Sequence, residues 1–380
     1  MEQVILPTGD KYYRDERAII IRLEGARRIM STSAFNGGCR EDLAYLFNFC
    51  EVYGKEDERC EMRAATYKEH LRMLTEELGL DPQKTTGLST AAKMKYARLN
   101  TEKYDDFTVT AIVTGSVDDN GSRPGDPAFW HEKEGVPCPV KPGTVNIMVF
   151  IDACLPEGSL ARALVMITEA KTAALQEVLA PSCYSQGLAT GSGTDGIIVA
   201  SNLESSTCLT DAGQHSKLGE HLGRVVKKTV REAVSAEEGF EAYACSSMLR
   251  RIRRYGINEE SLWELYCSPG QPGALDRDSF RQRLEVLDRD GDLIALATVY
   301  AHVLDLLEWK LTGTEQAERL AEDLLKGRSL AKAVKENLQG AITEKQNREI
   351  KNPEESGSEA AVKALVNRFS RHLISLVVRK

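Results

Sequence analysis

Short β-branched runs bounded by glycine, proline or aspartate punctuate the first half of the chain: RAIIIRL at 17–23, FTVTAIVTG at 107–115, GTVNIMVFID at 143–152 and DGIIVAS at 195–201. Each has the length and composition of a strand. Their apolar positions alternate only weakly, which predicts sheet covered on both faces. Between the last two runs, Leu160, Leu164, Ile167, Lys171, Ala174 and Val178 recur at helical spacing and predict a helix over 159–179 packed on the sheet. A further helix beginning near His215 lines up Leu218, Leu222, Val225, Thr229 and Ala233.

From Phe240 onward the pattern is helical only, through 242–254, 277–287, 293–310 and 315–346. NPEESGS at 352–358 interrupts it, after which Val362, Leu365, Val366, Phe369, Leu373 and Leu376 form a last stripe that docks on this unit or meets a partner. A chain of 380 residues exceeds what one core usually serves. The expected fold class is therefore α+β, a layered sheet with packed helices over 1–240, followed by an all-α unit over 241–380. No internal repeat recurs at a fixed period.

Composition narrows the partners. Forty-nine basic residues against 57 acidic ones leave a net charge of −8, which favours solubility and argues against a nucleic-acid backbone as partner. Nine cysteines without a CxxC pair point away from a zinc site or disulfide framework and toward reduced thiols in the cytoplasm. The first residues, MEQVILPTGDKYYRDE, meet charge early and hold no apolar run of signal-peptide length. The most apolar stretch, Leu293 to Leu304, lies between Asp292 and Asp305 and falls short of the roughly 20 residues that cross a bilayer. A cytoplasmic protein is expected, with neither nucleic acid nor membrane as partner and with a homo-oligomer left open.

Candidate chemistry gathers in a few segments. TGSGTDG at 190–196 concentrates glycines and small polar residues before a strand, where backbone N–H groups can face a ligand. It has no lysine and leads into a strand, so it is not a P-loop; an ordinary turn is the alternative. Its Thr194 offers a hydroxyl and Asp195 a carboxylate. His215, Gly219 and Gly223 share one helical face, where interior glycines imply close approach by another backbone or by a ligand. His215 at the helix start is disposed to stay neutral and serve as base or ligand, or is simply structural. Glu169 and Lys171 point to different neighbours on their helix, and a lysine on the apolar stripe needs a partner. MSTSAFNGG at 30–38 suits an oxyanion site or a plain turn, and the long connection between 115 and 143 suggests a lid. DRDGD at 288–292 imitates a calcium loop, but Leu293 and Val299 stand where glycine and glutamate belong. HExxH, GxSxG and a dinucleotide-binding fingerprint are all missing.

TEAKTAAL at 168–175, TGSGTDGIIVAS at 190–201 and HSKLGEHLG at 215–223 together resemble the adenosylcobinamide amidohydrolase family in order and spacing. NGG at 36–38, GLSTAA at 87–92, TG at 114–115 and GTVNI at 143–147 extend the resemblance over about 17–235. Two segments depart from the family pattern: Asn48-Phe49 replaces an Asn-His pair, and TGSVDDN at 114–120 replaces a Thr-Ala-Gly-Val-x-Asn-Ala run. The resemblance implies hydrolysis of the amide that joins the aminopropanol arm to the corrin ring, with the corrinoid as substrate and no resident cofactor or metal. The chemistry assigns Asp195, His215, Thr194, Lys171 and Glu169 as catalytic candidates. Asn36, Gly37, Gly38, Thr114, Gly191, Gly193, Ser216 and Lys217 are the binding candidates. In this scheme Asn36 and the backbone around Gly193 stabilise the oxyanion, His215 or Asp195 acts as base and then acid, and Lys171 orients a carboxylate or carbonyl. The competing readings are a corrinoid-binding or sensing protein without turnover, and a metal-assisted hydrolase using Glu169, Asp195 and His215.

Overall fold

A computed structural model describes residues 2–52, 62–128, 144–237, 247–269, 275–327 and 355–379. Two compact units divide the chain, Met1–Glu241 and Ala242–Lys380. The expected helical stretch at 242–246, the pattern at 328–346, residues 352–354 of the interruption and about half of the long connection, 129–142, lie outside the described residues, whereas residues 355–358 of the interruption are helical.

The first unit is built on two mixed sheets. One comprises β1 (Glu2–Ile5), β2 (Lys11–Arg14), β3 (Ala18–Arg22), β6 (Tyr45–Cys50) and β7 (Thr85–Thr90), in that order across the sheet. All its neighbours are antiparallel except β6 and β7. The other runs β5 (Gly38–Arg40), β4 (Arg27–Ser31), β13 (Gly196–Asn202), β11 (Val145–Ile151), β9 (Phe107–Gly115) and β8 (Arg98–Tyr104), with only β11 and β13 parallel. That parallel pair needs a crossover, and α2 (Glu157–Glu177) supplies it.

The sheets face each other. Ile19, Ile21, Leu46 and Leu88 of the first pack with Ile112, Met148, Phe150 and Ile198 of the second in one core. Outside the first sheet, α1 (Tyr67–Glu77) sets Leu71 and Leu74 against Phe47 and Phe49. Outside the second lie α2 and α3 (Lys217–Glu237). Each strand of the centre is thus covered twice, which is why β11 is buried at every position and shows no alternation. The layers run helix, sheet, sheet, helix.

On the second sheet α2 buries Leu160, Ile167, Lys171 and Ala174 of its expected stripe but only half-buries Leu164 and Val178, while α3 buries the whole of Leu218, Leu222, Val225, Thr229 and Ala233. Glycine on α3 answers to a backbone: a Cβ at Gly219 would stand 1.9 Å from the Gly213 carbonyl oxygen, whereas one at Gly223 would meet only the Met166 sulfur at 3.6 Å. We expect Gly219→Ala to destabilise the fold by about 1–3 kcal/mol through overpacking. Gly223→Ala should instead stabilise it by about 0.5–1 kcal/mol. Urea unfolding of the two variants measures the contrast, and equal effects would remove the close approach as its cause.

In the second unit, α4 (Met248–Ile252), α5 (Glu259–Tyr266), α6 (Arg277–Asp288), α7 (Gly291–Glu308), α8 (Thr314–Leu325) and α9 (Glu355–Arg379) enclose their own core. Tyr266, Phe280, Tyr300, Leu304, Phe369 and Leu373 are central to it, so the last amphipathic stripe docks within this unit. Arg254 is buried against the Asp305 carboxylate, which also accepts from the Tyr255 hydroxyl at 2.7 Å. Asp290 of the DRDGD run caps α7, accepting from the Asp292 and Leu293 N–H groups at 3.0 Å. No helix among the described residues is long and apolar enough to cross a membrane.

Candidate active site

The starts of the parallel strands β11 and β13 lie side by side, and the glycine-rich run at 190–196 reaches β13 across their end. Asp195, the last residue before β13, is fixed from three directions. One carboxylate oxygen pairs with Lys171 Nζ of α2. The other accepts from the Val145 N–H at 2.8 Å and from Ser192 Oγ at 2.7 Å. The side chains of Lys171 and Asp195 are only 9% and 10% exposed, so each charge depends on the other for compensation. A lysine on an apolar stripe thus has its partner.

Gly191 explains one of the glycines. A Cβ there would sit 2.2 Å from Asp195 Oδ2 and 2.6 Å from Lys171 Nζ, so the ion pair occupies the volume a side chain would need. Gly193 and Thr194 are exposed, and the Thr194 hydroxyl meets the Thr144 hydroxyl at 2.5 Å. Two residues of the loop, Gly191–Ser192, form β12, which pairs antiparallel with β10, Gly121–Ser122, in the connection that follows β9. Side chains add to the join: Tyr184 donates to Asn120 Oδ1 at 2.5 Å and Ser182 to Asp126 Oδ2 at 2.6 Å. The described half of the long connection therefore braces the glycine loop.

Beneath the loop a polar network runs between the sheets. Asn146 donates to Asn48 Oδ1 at 2.8 Å and to the Ser89 carbonyl at 2.9 Å, while its own oxygen accepts the Gly196 N–H at 3.0 Å. Asn48 in turn donates to Thr114 Oγ1 at 2.8 Å. Both amide hydrogens and the oxygen of Asn146 are satisfied, as a buried amide requires. Asn48 and Asn146 were absent from the expected site, although an asparagine inside the apolar runs YLFNFC and VNIMVFI is a visible signal. Thr144 was also absent, because only the fold brings it to Thr194, and Ser192 was absent although it stands in the same loop three residues before Asp195.

Other candidates are spent elsewhere. Both hydrogens of the Asn36 amide go to the Pro82 and Thr85 carbonyls at 2.8 Å, which leaves none for an oxyanion and corrects the role expected of it. Gly37 is dictated by packing, since a Cβ would lie 2.0 Å from the Ser33 carbonyl, and Gly38 by a φ of 82°. Ser216 caps α3, accepting from the Gly219 N–H at 3.0 Å. Lys217 pairs with Glu220 at 2.8 Å and lies over the Tyr104 ring. Glu169 accepts from Gln214 at 2.7 Å on the exposed side of α2. His215 is exposed just before α3. That helix comes up to the Val145 end of the sheet at Val234, which lies beside Gly115, so His215 and Asp195 lie toward opposite ends of α3. Glu169, Asp195 and His215 do not converge, and no group of three or more metal-ligating side chains occurs among the described residues.

A further buried pair lies on the α1 side of the first sheet. His70 Nδ1 accepts from the Arg63 N–H at 3.2 Å, which places the ring proton on Nε2 facing Glu51. Both ring nitrogens are engaged, and the pair clamps α1 to the end of β6.

Fold and site together define a layered α+β protein that presents a lysine–carboxylate pair and an array of hydroxyls under a braced glycine loop. The chain belongs to the adenosylcobinamide amidohydrolase family, whose sequence pattern matches residues 4–242. The uncharacterized protein MJ1613 of Methanocaldococcus jannaschii is 32% identical over 240 residues, covering 60% of this chain and 90% of that one. The solved structure of the PH0078 protein from Pyrococcus horikoshii OT3 aligns with 61% of this chain and 79% of that one, at 11% identity and a TM-score of 0.28.

Proposed function

We propose that this protein hydrolyses the amide between the corrin ring and the aminopropanol arm of adenosylcobinamide, giving adenosylcobyric acid and 1-amino-2-propanol. The observation that carries this reading is the family match over 4–242, which takes in all of the Lys171–Asp195 site. Amide hydrolysis needs an activated oxygen nucleophile, stabilisation of the tetrahedral oxyanion and a proton for the departing amine. Asp195, at the mouth of the hydroxyl array, takes the proton from the attacking water or from Thr194 and returns it to the amine. Lys171 holds that carboxylate in place and supplies positive charge beside the developing oxyanion.

Purified protein incubated with adenosylcobinamide is expected to release 1-amino-2-propanol, read by mass spectrometry. Tight corrinoid binding with no product after prolonged incubation would replace this reading with a sensing role. The geometry also sets the rank of the acid–base candidates. His215→Ala should change turnover per folded molecule by less than an order of magnitude, because its ring lies at the far end of α3. A loss as large as that expected for Asp195 variants would return His215 to the reaction.

A further inference from the structure

The other end of the parallel strands carries chemistry that amide hydrolysis does not use. Just beyond β11 and beyond the turn that follows β13, Cys154 and Cys208 face each other in an isolated parallel bridge. Backbone bonds on both sides fix the pairing: the Cys154 N–H donates to the Thr207 carbonyl at 2.8 Å, and the Leu209 N–H donates to the Cys154 carbonyl at 3.0 Å. Neighbouring strands stand about 4.7–4.9 Å apart, within the roughly 4.4–6.8 Å between Cα atoms that a disulfide spans. The parallel bridge sets the two side chains beside each other. Both are free, with Cys208 exposed and Cys154 half-buried, so a small molecule reaches the pair from the Cys208 side. Burial, and then the contact with Cys208, push the Cys154 thiol up, while Arg28 pulls it down.

We propose that Cys154 and Cys208 are a modification site that closes reversibly to an intramolecular disulfide on reaction with a low-molecular-weight disulfide of the glutathione class. The Cys208 thiolate attacks the external disulfide, forming a mixed disulfide and releasing one small thiolate. Cys154 then loses its proton and attacks the Cys208 sulfur, and the second small thiolate leaves. The protein gives up two electrons, the external disulfide is reduced to two thiols, and the two cysteine protons pass to those thiols. Cys39 provides an internal comparison: it is an exposed thiol that also feels the Arg28 charge, but its backbone is paired with Met30 and not with either cysteine.

The test uses the full chain treated with oxidised glutathione. The expected product is lighter than the reduced protein by two hydrogens, has two fewer titratable thiols, gives a peptide joining Cys154 to Cys208, and reverts with dithiothreitol. Its melting temperature should exceed that of the reduced form, because the cross-link restricts the unfolded chain between the two positions. In Cys154→Ser the reaction should stop with one glutathionyl group on Cys208. No loss of two hydrogens, or a map that joins Cys39 or another thiol instead, would overturn the proposal. If a serine variant fails to fold, the map of the unaltered protein decides alone. No readout depends on corrinoid turnover, so this site stands or falls separately from the proposed reaction.

Discussion

Replacing Asp195 by asparagine is expected to lower adenosylcobinamide turnover by about 10²–10⁴-fold, the usual worth of a positioned acid–base group. The variant keeps the shape of the side chain and its contacts with Val145 and Ser192 but removes the charge opposite Lys171. Lys171→Met removes the other half and leaves a buried carboxylate beside a thioether. Breaking a buried pair from one side costs about 3–5 kcal/mol, and the lower end applies here because two further donors remain on Asp195. Replacing both partners, Lys171→Met with Asp195→Asn, should recover much of that stability, since no buried charge is left unpaired and the amide oxygen still accepts from Val145 and Ser192. Turnover should not recover. Unfolding free energies and turnover per folded molecule on the four proteins of this cycle separate the two roles. Normal turnover in the doubly altered protein would make the pair a structural pin and move the chemistry elsewhere.

Asn146→Ala should be the most destabilising single change beneath the loop, at about 3 kcal/mol or more. The substitution strands the Gly196 N–H, the Ser89 carbonyl and Asn48 Oδ1 in the space between two sheets. Each unpaired buried group costs about 1–3 kcal/mol. Thr114→Val is the milder comparison, because it removes one acceptor from Asn48 and keeps the volume; about 1 kcal/mol is expected. Denaturant midpoints give both values. Since Gly196 starts β13 directly after Asp195, loss of Asn146 should also slacken the loop and reduce turnover in the protein that still folds. An Asn146→Ala protein as stable as the parent would mean that water replaces the amide and that the network does not hold the strand ends.

The elements that the hydrophobic pattern revealed are those at the centre of the layers. β9 occupies Phe107–Gly115, the whole of the run that predicted it, because its β-branched and apolar side chains suit a strand covered on both faces. β4 and β7 escaped notice for opposite physical reasons. In β4 an arginine stands at a buried position, and Arg27 is tolerable there because Asp10, Asn202 and the Thr8 and Ala26 carbonyls receive it. In β7 the composition TTGLST reads as a turn, yet all six positions are buried. Two of its threonines bond to the Asp81 and Phe35 carbonyls at 2.7 Å. Hydrophobicity cannot register a polar side chain whose hydrogen bonds are made to main-chain carbonyls.

The same distinction applies to the site. Lys171 was legible as a cation on an apolar stripe, but its partner lies 24 residues away on a loop, a tertiary fact. The helix-start motif at 215–223 looked like part of the same chemistry because it belongs to the same family pattern. The fold separates them, because α3 runs back along the strands and leaves His215 at the end opposite Asp195. Part of that motif secures the helix itself, through the Ser216 cap and the close approach of Gly213 to Gly219.

The two-residue ladder between Gly121–Ser122 and Gly191–Ser192 bears on how such a chain can change length over generations. Chain beyond Asp126 can gain or lose residues without altering the register that holds the glycine loop, because the ladder and the Asp126–Ser182 bond are already made by that point. An insertion between Gly115 and Gly121 acts on the other side of the constraint and would shift the ladder itself. Drift in size is thus channelled to the outer side of a very small piece of sheet, and the spacing around Asp195 is insulated from it.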